Sequence, residues 1–256
     1  MDDWLHDLPL AWMGVVVFGA TFLVAALIHL VVGALAVGDR ARAFKAVSAG
    51  MLSPLGIIFG LFVAFTAAQV WNDTDRANVA VNREASSLKS VLVLASSFPG
   101  ESESQLRSLV TRYVHEVVDQ EWPMMAHHGA SLSIGPAPLI DALRFTLALP
   151  TNSSGQRTAQ RELVSDLQNA ADARRQRILI SSSEVNVVKW ICLILQALCA
   201  LLAIAVVHSD NRTASMFTIG VFATGIAASV LLILAHDRPF LGQISIKPGP
   251  LLQIIS

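Results

Sequence analysis

Charge is scarce in this chain and missing altogether from four long stretches. Charged residues make up 14% of the 256, against 54% hydrophobic. From Ala11 to Val37, Ala46 to Trp71, Trp190 to Val207 and Ala214 to Ala235 there is no Asp, Glu, Lys or Arg. A helix needs roughly 20 apolar residues to cross about 30 Å of hydrocarbon, so the four runs predict four transmembrane helices and exclude a freely soluble protein. A basic surplus is also lacking. With a net charge of −1 there is no excess of cations to neutralise phosphates, and no nucleic-acid partner is expected. The N-terminus carries Asp2, Asp3 and Asp7 and no Lys or Arg before the first run, which is too long for a secretory signal and is expected to stay as a membrane helix. The two cysteines, Cys192 and Cys199, lie seven apart on one helix face, where they cannot bridge each other. No nucleophile elbow, phosphate loop, Cys-x-x-Cys or His-Glu-x-x-His sequence occurs, so neither enzymatic activity nor a cofactor is expected.

What is present between the membrane pairs is a polar middle with helical periodicity. After Trp71, the apolar positions Val81, Ala85, Leu88, Leu92 and Ala95 keep a three-four spacing, so the second membrane helix is predicted to continue as one long rod until Phe98-Pro99-Gly100. Leu106, Leu109, Val110, Tyr113, Val114 and Val117 repeat the period in a helix predicted to end near Trp122-Pro123, since proline removes a backbone donor and clashes with the preceding turn. A loop over His127 to Pro138, a short helix over Pro138 to Leu149, and a longer helix from about Gln156 running straight into the third membrane segment complete the middle. The fold class is therefore all-α: four transmembrane helices with long helical extensions forming an aqueous helical region. The expected organisation is residues 1–71 for the N-terminal tail and first membrane pair, 72–186 for the extramembrane helices, 187–235 for the second membrane pair, and 236–256 for a C-terminal extended arm. In that arm the alternating Ile244 and Ile246 suggest a short strand.

The basic residues near helix ends set the orientation. Arg40, Arg42, Lys45 and Arg212 lie on one side, four in all; Arg76, Arg83, Lys89, Arg174, Arg175, Arg177, Lys189, Arg238 and Lys247, nine in all, lie on the other. Counting all of them places the polar middle in the cytoplasm; leaving out the long middle reverses the vote to four against three. We take the cytoplasmic side. Trp12, Trp71 and Trp190 fall at helix ends as interface anchors.

The second membrane run holds the residues with the clearest functional spacing. Gly56, Gly60 and Ala64 recur every four residues, a flat small-residue face for close helix packing. Beside it Ile57, Leu61 and Phe65 form an apolar stripe. Around a central axis, such a stripe makes a hydrophobic constriction that gates ions by excluding water; the plainer reading is lipid-facing or packed core. Arg76 and Arg83 follow on the same helix and would concentrate anions in an oligomer, unless Asp73, Asp75 and Glu84 pair with them. The middle as a whole, with eleven Lys or Arg against thirteen Asp or Glu, is not strongly cationic. His29 is an ionisable group within the first membrane run and thus a candidate for proton or ion handling, or a neutral interhelical bond. Gln69 and Gln196 read as interhelical polar contacts. His115 and Asp119 share a helix face near His127-His128, but no third ligand is fixed and no metal site is expected.

The stretch Leu55-Gly56-Ile57-Ile58-Phe59-Gly60-Leu61-Phe62-Val63-Ala64-Phe65, followed by Asn82-Arg83-Glu84-Ala85, resembles the bestrophin family of pentameric anion channels. Nearly the whole chain is similar to a bacterial group of bestrophin-like integral membrane proteins, on Glu84-Ala85, Tyr113, Glu121-Trp122-Pro123, the Arg174 to Arg177 cluster and Asp237-Arg238-Pro239-Phe240-Leu241-Gly242. The resemblance implies a homopentamer in the inner membrane with the second helices around the axis, an apolar neck at Ile57, Leu61 and Phe65, a cytoplasmic vestibule, and inorganic anions as the permeant partners. Two departures stand out. Thr66-Ala67-Ala68 follows the last neck residue where bestrophins carry arginine and asparagine, and the acidic calcium clasp after the fourth helix is reduced to Asp237, so calcium activation is not expected. A membrane-anchored sensor or scaffold, whose helical middle binds a ligand or partner, is the alternative function.

Overall fold

The computed structural model describes residues 5–6, 8–37, 43–44, 47, 49–127, 129–132 and 135–255. Asp2, Asp3, Asp7, Arg40, Arg42, Lys45 and His128, named above, lie outside them. The chain is all-α, and no strand occurs among the described residues. In order the helices are α1 (Leu10–Leu35), α2 (Leu52–Ala95), α3 (Glu101–Glu116), α4 (Trp122–Ala126), α5 (Ala137–Ala148), α6 (Ser154–Ser181), α7 (Val187–Val207), α8 (Arg212–His236) and α9 (Gly249–Ile255). Four are long and apolar enough to cross a membrane: α1, α2, α7 and α8.

The chain divides into two compact units, one of residues up to Trp71 with Glu184–Asp237 and one of Asn72–Ser183 with Arg238–Ser256. In the first, α1 packs on α8 and α7, and α7 on α8. Lipid tails are as apolar as leucine, so these helices gain little from hiding hydrophobic surface and cohere by close packing. The buried small residues Ala25, Ala197, Ala200, Ala205, Ala223 and Ala227 supply it. Gly56 and Gly60 do not, because a Cβ built on either meets nothing within 4 Å, and Ala64 is exposed. Within the protomer the membrane half of α2 buries Phe59, Thr66 and Val70; Phe59 packs on Phe222 at 6.0 Å, and Lys189 Nζ donates to Gln69 Oε1. Asp237 Oδ1 accepts the Val185 amide at 2.6 Å and so fastens the entry to α7 onto the end of α8.

The second unit has a conventional core. Leu88, Leu106, Leu163 and Leu167 are each at most 1% exposed, and burying each contributes about 1.5–3 kcal/mol. α2 is one helix of 44 residues. Beyond it Gly100 turns the chain at φ +90°, a conformation that L side chains rarely adopt.

Three expectations change. α3 does not end at Trp122-Pro123: a π turn over Val117–Glu121, with the Trp122 amide bonded to the Val117 carbonyl, leads into α4 with Pro123 in its first turn. The widened turn gives the proline ring room, and its missing N–H falls where a new helix does not need one. α6 does not run into the membrane either. Ser181 and Ser182 hydroxyls donate back to the Ile178 and Leu179 carbonyls, the helix stops at Ser181, and Asn186 caps α7 by accepting the Val188 amide at 2.8 Å. The arm after His236 contains no strand and ends in α9. Ile246 is buried and Ile244 exposed; the loop is closed by turn bonds, the Ile246 amide to the Pro239 carbonyl at 2.8 Å being the shortest backbone one, and no strand among the described residues offers a ladder. The two isoleucines therefore do not share a packed side as strand alternation requires.

Candidate functional site

The membrane half of α2 buries Phe59, Thr66 and Val70 and leaves the opposite face bare. Ile57, Leu61 and Phe65 are 66%, 55% and 68% exposed. At 100° per residue, steps of four keep the three within 80° of one another, so they form one ridge. Only 11% of the apolar window of α2 is buried within the protomer, against 39% for α7. Thr66, where the bestrophin pattern would continue with arginine, turns inward and returns its hydroxyl to the Phe62 carbonyl at 2.9 Å.

In the second unit, the continuation of α2 also leaves a face uncovered, carrying Asp75, Arg76, Val79, Asn82, Arg83 and Ser86. Arg76 makes a loose pair with Asp73 at 3.7 Å. Arg83 has no ion pair among the described residues. Glu84, which from the sequence could have neutralised it, sits on the buried face instead and is 0% exposed. Withdrawing that carboxylate leaves the exposed face more cationic than the sequence count suggested. A pocket of about 380 Å³ opens beside it, lined by Asn72, Asp75, Arg76 and Val79 of α2 and by Gln176 and Leu179 of α6.

Glu84 belongs to a buried cluster drawn from four helical segments. Arg177 Nε donates to Glu84 Oε2 at 2.7 Å, and its Nη2 donates to Glu84 Oε1 at 3.1 Å and to Glu121 Oε2 at 3.0 Å. Arg174 Nε donates to Glu121 Oε1 at 2.7 Å, and the Tyr113 hydroxyl donates to Glu84 Oε1 at 2.6 Å. The Arg177 guanidinium lies 5.2 Å from the centre of the Trp122 ring, in cation–π range. Trp122 in turn meets Phe240 edge-on at 5.5 Å and donates Nε1–H to the Ile246 carbonyl, which docks the C-terminal segment. Two carboxylates and two guanidiniums balance, so no net charge is buried. Burial pushes the Tyr113 phenol well above its usual range, with the Glu84 carboxylate adding to the shift. Burial alone would lower Arg177, but Glu84 more than reverses it.

The remaining candidates are local. His29 Nδ1 lies 3.2 Å from Ser215 Oγ, an interhelical bond between α1 and α8. Gln196 Oε1 is buried with no hydrogen-bond partner among the described residues. His115 and Asp119 are 3.9 Å apart and both exposed; among the described residues no group of three His, Cys, Asp or Glu side chains gathers for a metal.

A model of the Bestrophin-like domain matches residues 19–251. The chain belongs to the Bestrophin-like family. Its fold is that of a bacterial bestrophin homologue from Klebsiella pneumoniae, solved as a point mutant, at TM-score 0.72 and 11% identity over 93% of this chain and 99% of that one. A second point mutant of that homologue matches at TM-score 0.70 and 12% identity over 93% and 97% of the two chains. A membrane protein carrying a single substitution matches at 0.71 and 13% over 93% and 95%. No curated protein matches the chain. This bestrophin-like chain is thus an integral membrane protein, and Glu84, Tyr113, Glu121, Trp122, Arg174 and Arg177, scattered over some ninety positions of sequence, are the residues its second unit gathers into one cluster. Spacing carried a signal for it: Glu84 falls on the Ala77, Ala80, Val81, Leu88 face and Arg177 on the Ala170, Ala173, Ile180 face, charges set into apolar stripes.

Proposed function

We propose that this bestrophin-like protein is a homo-oligomeric channel for inorganic anions, its neck formed by Ile57, Leu61 and Phe65 around a central axis. The observation that carries the reading is the apolar ridge on α2, three large side chains left more than half exposed by a protomer that covers α2 least of its membrane helices. Repeated around an axis, such a ridge makes a pore narrow enough to dewet. The small face of Gly56, Gly60 and Ala64, unpaired within the protomer, is where a neighbouring α2 would approach. Anions are favoured because Glu84 is turned inward while Arg83 stays on the exposed face, so each copy adds one cation there beyond the Asp73–Arg76 pair, with Asp75 four residues before Val79 as its counterweight. The family resemblance supports a pentamer in the inner membrane with the helical unit in the cytoplasm.

The test is chloride flux in liposomes holding the purified protein, with its subunit number measured in detergent. Leu61→Ala and Phe65→Ala should each raise flux severalfold, because smaller side chains widen and rewet the constriction. Unchanged flux from folded, correctly assembled variants would refute the neck. The second reading, a membrane-anchored sensor or scaffold, is favoured by the pocket between α2 and α6; it expects no flux at all and sensitivity at Gln176 and Asn72 in place of Leu61.

A further inference from the structure

We propose that the membrane unit binds one anionic phospholipid, with its phosphate at His29, His208 and Arg212 and an acyl chain along the groove formed by α1, α7 and α8. Two cavities on the same three helices carry the inference. The first is an apolar groove of about 360 Å³ between Val17, Ala20 and Val24 of α1 and Leu193, Ala197 and Leu201 of α7, closed by α8 at Ile226. The second is a small polar pocket farther along the same helices, lined by His29 and Gly33 of α1, by His208 and Ser209 just past α7, and by Arg212 and Ser215 of α8. From Val24 to His29 is about 7.5 Å along α1, and from Leu201 to Ala205, which also lines the polar pocket, about 6 Å along α7. The headgroup-to-chain geometry of a single lipid spans such a gap.

The polar pocket is cationic. Arg212 Nε and Nη2 lie 3.9 Å from where a Cβ on Gly33 would stand, ordinary van der Waals contact, so the guanidinium rests against α1 there and a side chain much larger than alanine would displace it. No acidic side chain among the described residues pairs with Arg212; Asp210, exposed two residues earlier, makes no ion pair with it. Ser215 is buried and its hydroxyl bonds His29, which holds that ring at the pocket. The interior, about 10 Å³, admits one oxygen-sized group, as a phosphate seated at the mouth would supply. A basic pocket between membrane helices near their ends is the chemistry that recognises an anionic headgroup. The groove decides the source. A free anion would leave it unfilled, and an apolar helix from a second copy would leave the cationic pocket on the same three helices unmatched.

The experiment is native mass spectrometry of the full chain, delipidated in detergent and titrated with phosphatidylglycerol or phosphatidylcholine, with inorganic phosphate as competitor. Wild type should retain one phosphatidylglycerol per subunit in preference to phosphatidylcholine. Arg212→Ala should weaken binding roughly tenfold by removing a charge-assisted bond, Arg212→Lys should retain most of it, and Ala20→Trp, which fills the groove from an exposed position, should block it. Gly33→Leu, which displaces the guanidinium while keeping it, should match Arg212→Ala and serves if that variant misfolds. Equal retention by all folded variants would overturn the site. Displacement by inorganic phosphate, with phosphate binding wild type and Ala20→Trp alike, would make it a free-anion site; a changed subunit number in Ala20→Trp with lipid retention intact would make the groove an interface between copies.

Discussion

Replacing Arg177 by methionine tests whether the buried cluster holds the extramembrane unit together. The side chain is 0% exposed and makes three bonds of 2.7–3.1 Å to two carboxylates, with a further contact over the Trp122 ring. Each bond to a charged group is worth about 1.5–3 kcal/mol in isolation. Their sum overstates the loss, since assembling the cluster already cost the hydration of four charges. The better guide is what remains: Glu84, wholly buried, keeps only the Tyr113 hydroxyl, and one carboxylate of the two is uncompensated. Removing one partner of such a pair costs about 3–5 kcal/mol, a large share of the roughly 5–15 kcal/mol that stabilises a typical domain. Hydrogen exchange at the amides of α3 and α6 reads this unit alone, and protection there should fall by that amount while α7 and α8 are unaffected. The double variant Glu84→Leu with Arg177→Met should recover most of the loss, because no orphan charge is left. A loss below about 1 kcal/mol in Arg177→Met, or a double variant no better than the single one, would refute the reasoning.

Tyr113 is the only tyrosine, so its ionisation can be followed directly by tyrosinate absorbance. Its folded pKa is raised above 10.0, so the stability it contributes is complete below pH 10 and is lost as pH rises, by about 1.4 kcal/mol per unit; tyrosinate should appear only together with unfolding of this unit, and a normal titration in the folded protein would contradict the burial. Arg83→Glu should lower the chloride-over-cation preference of reconstituted protein severalfold, more at low salt than at high, since screening shortens the reach of an exposed charge. Gly100→Ala should cost about 1–3 kcal/mol in thermal unfolding of the second unit through its backbone, because among the described residues nothing but its chain neighbours lies within 4 Å of the added Cβ.

The hydrophobic runs determined four membrane helices by themselves, since crossing hydrocarbon with every backbone group satisfied leaves a 20-residue apolar segment little choice but helix. The three-four spacing after Trp71 likewise determined the long α2, and Pro99-Gly100 its end. Where local chemistry competed with periodicity the outcome lay elsewhere. The serines after Ile180 broke a helix whose pattern ran on, and a π turn let another pass a proline that should have stopped it. Ile244 and Ile246 had the spacing of a strand, but only Ile246 is packed and no neighbouring strand offers a ladder among the described residues. Only tertiary structure decided which charges face outward: on α2, Arg83 has no ion pair among the described residues, while Glu84, one residue along and 100° around, is claimed by Arg177 from a helix ninety residues away. Likewise only packing decided that the small residues holding the membrane helices together are alanines of α1, α7 and α8, leaving Gly56, Gly60 and the ridge beside them bare. Spacing along one helix fixes which residues share a face, but what that face meets depends on partners distant in the chain.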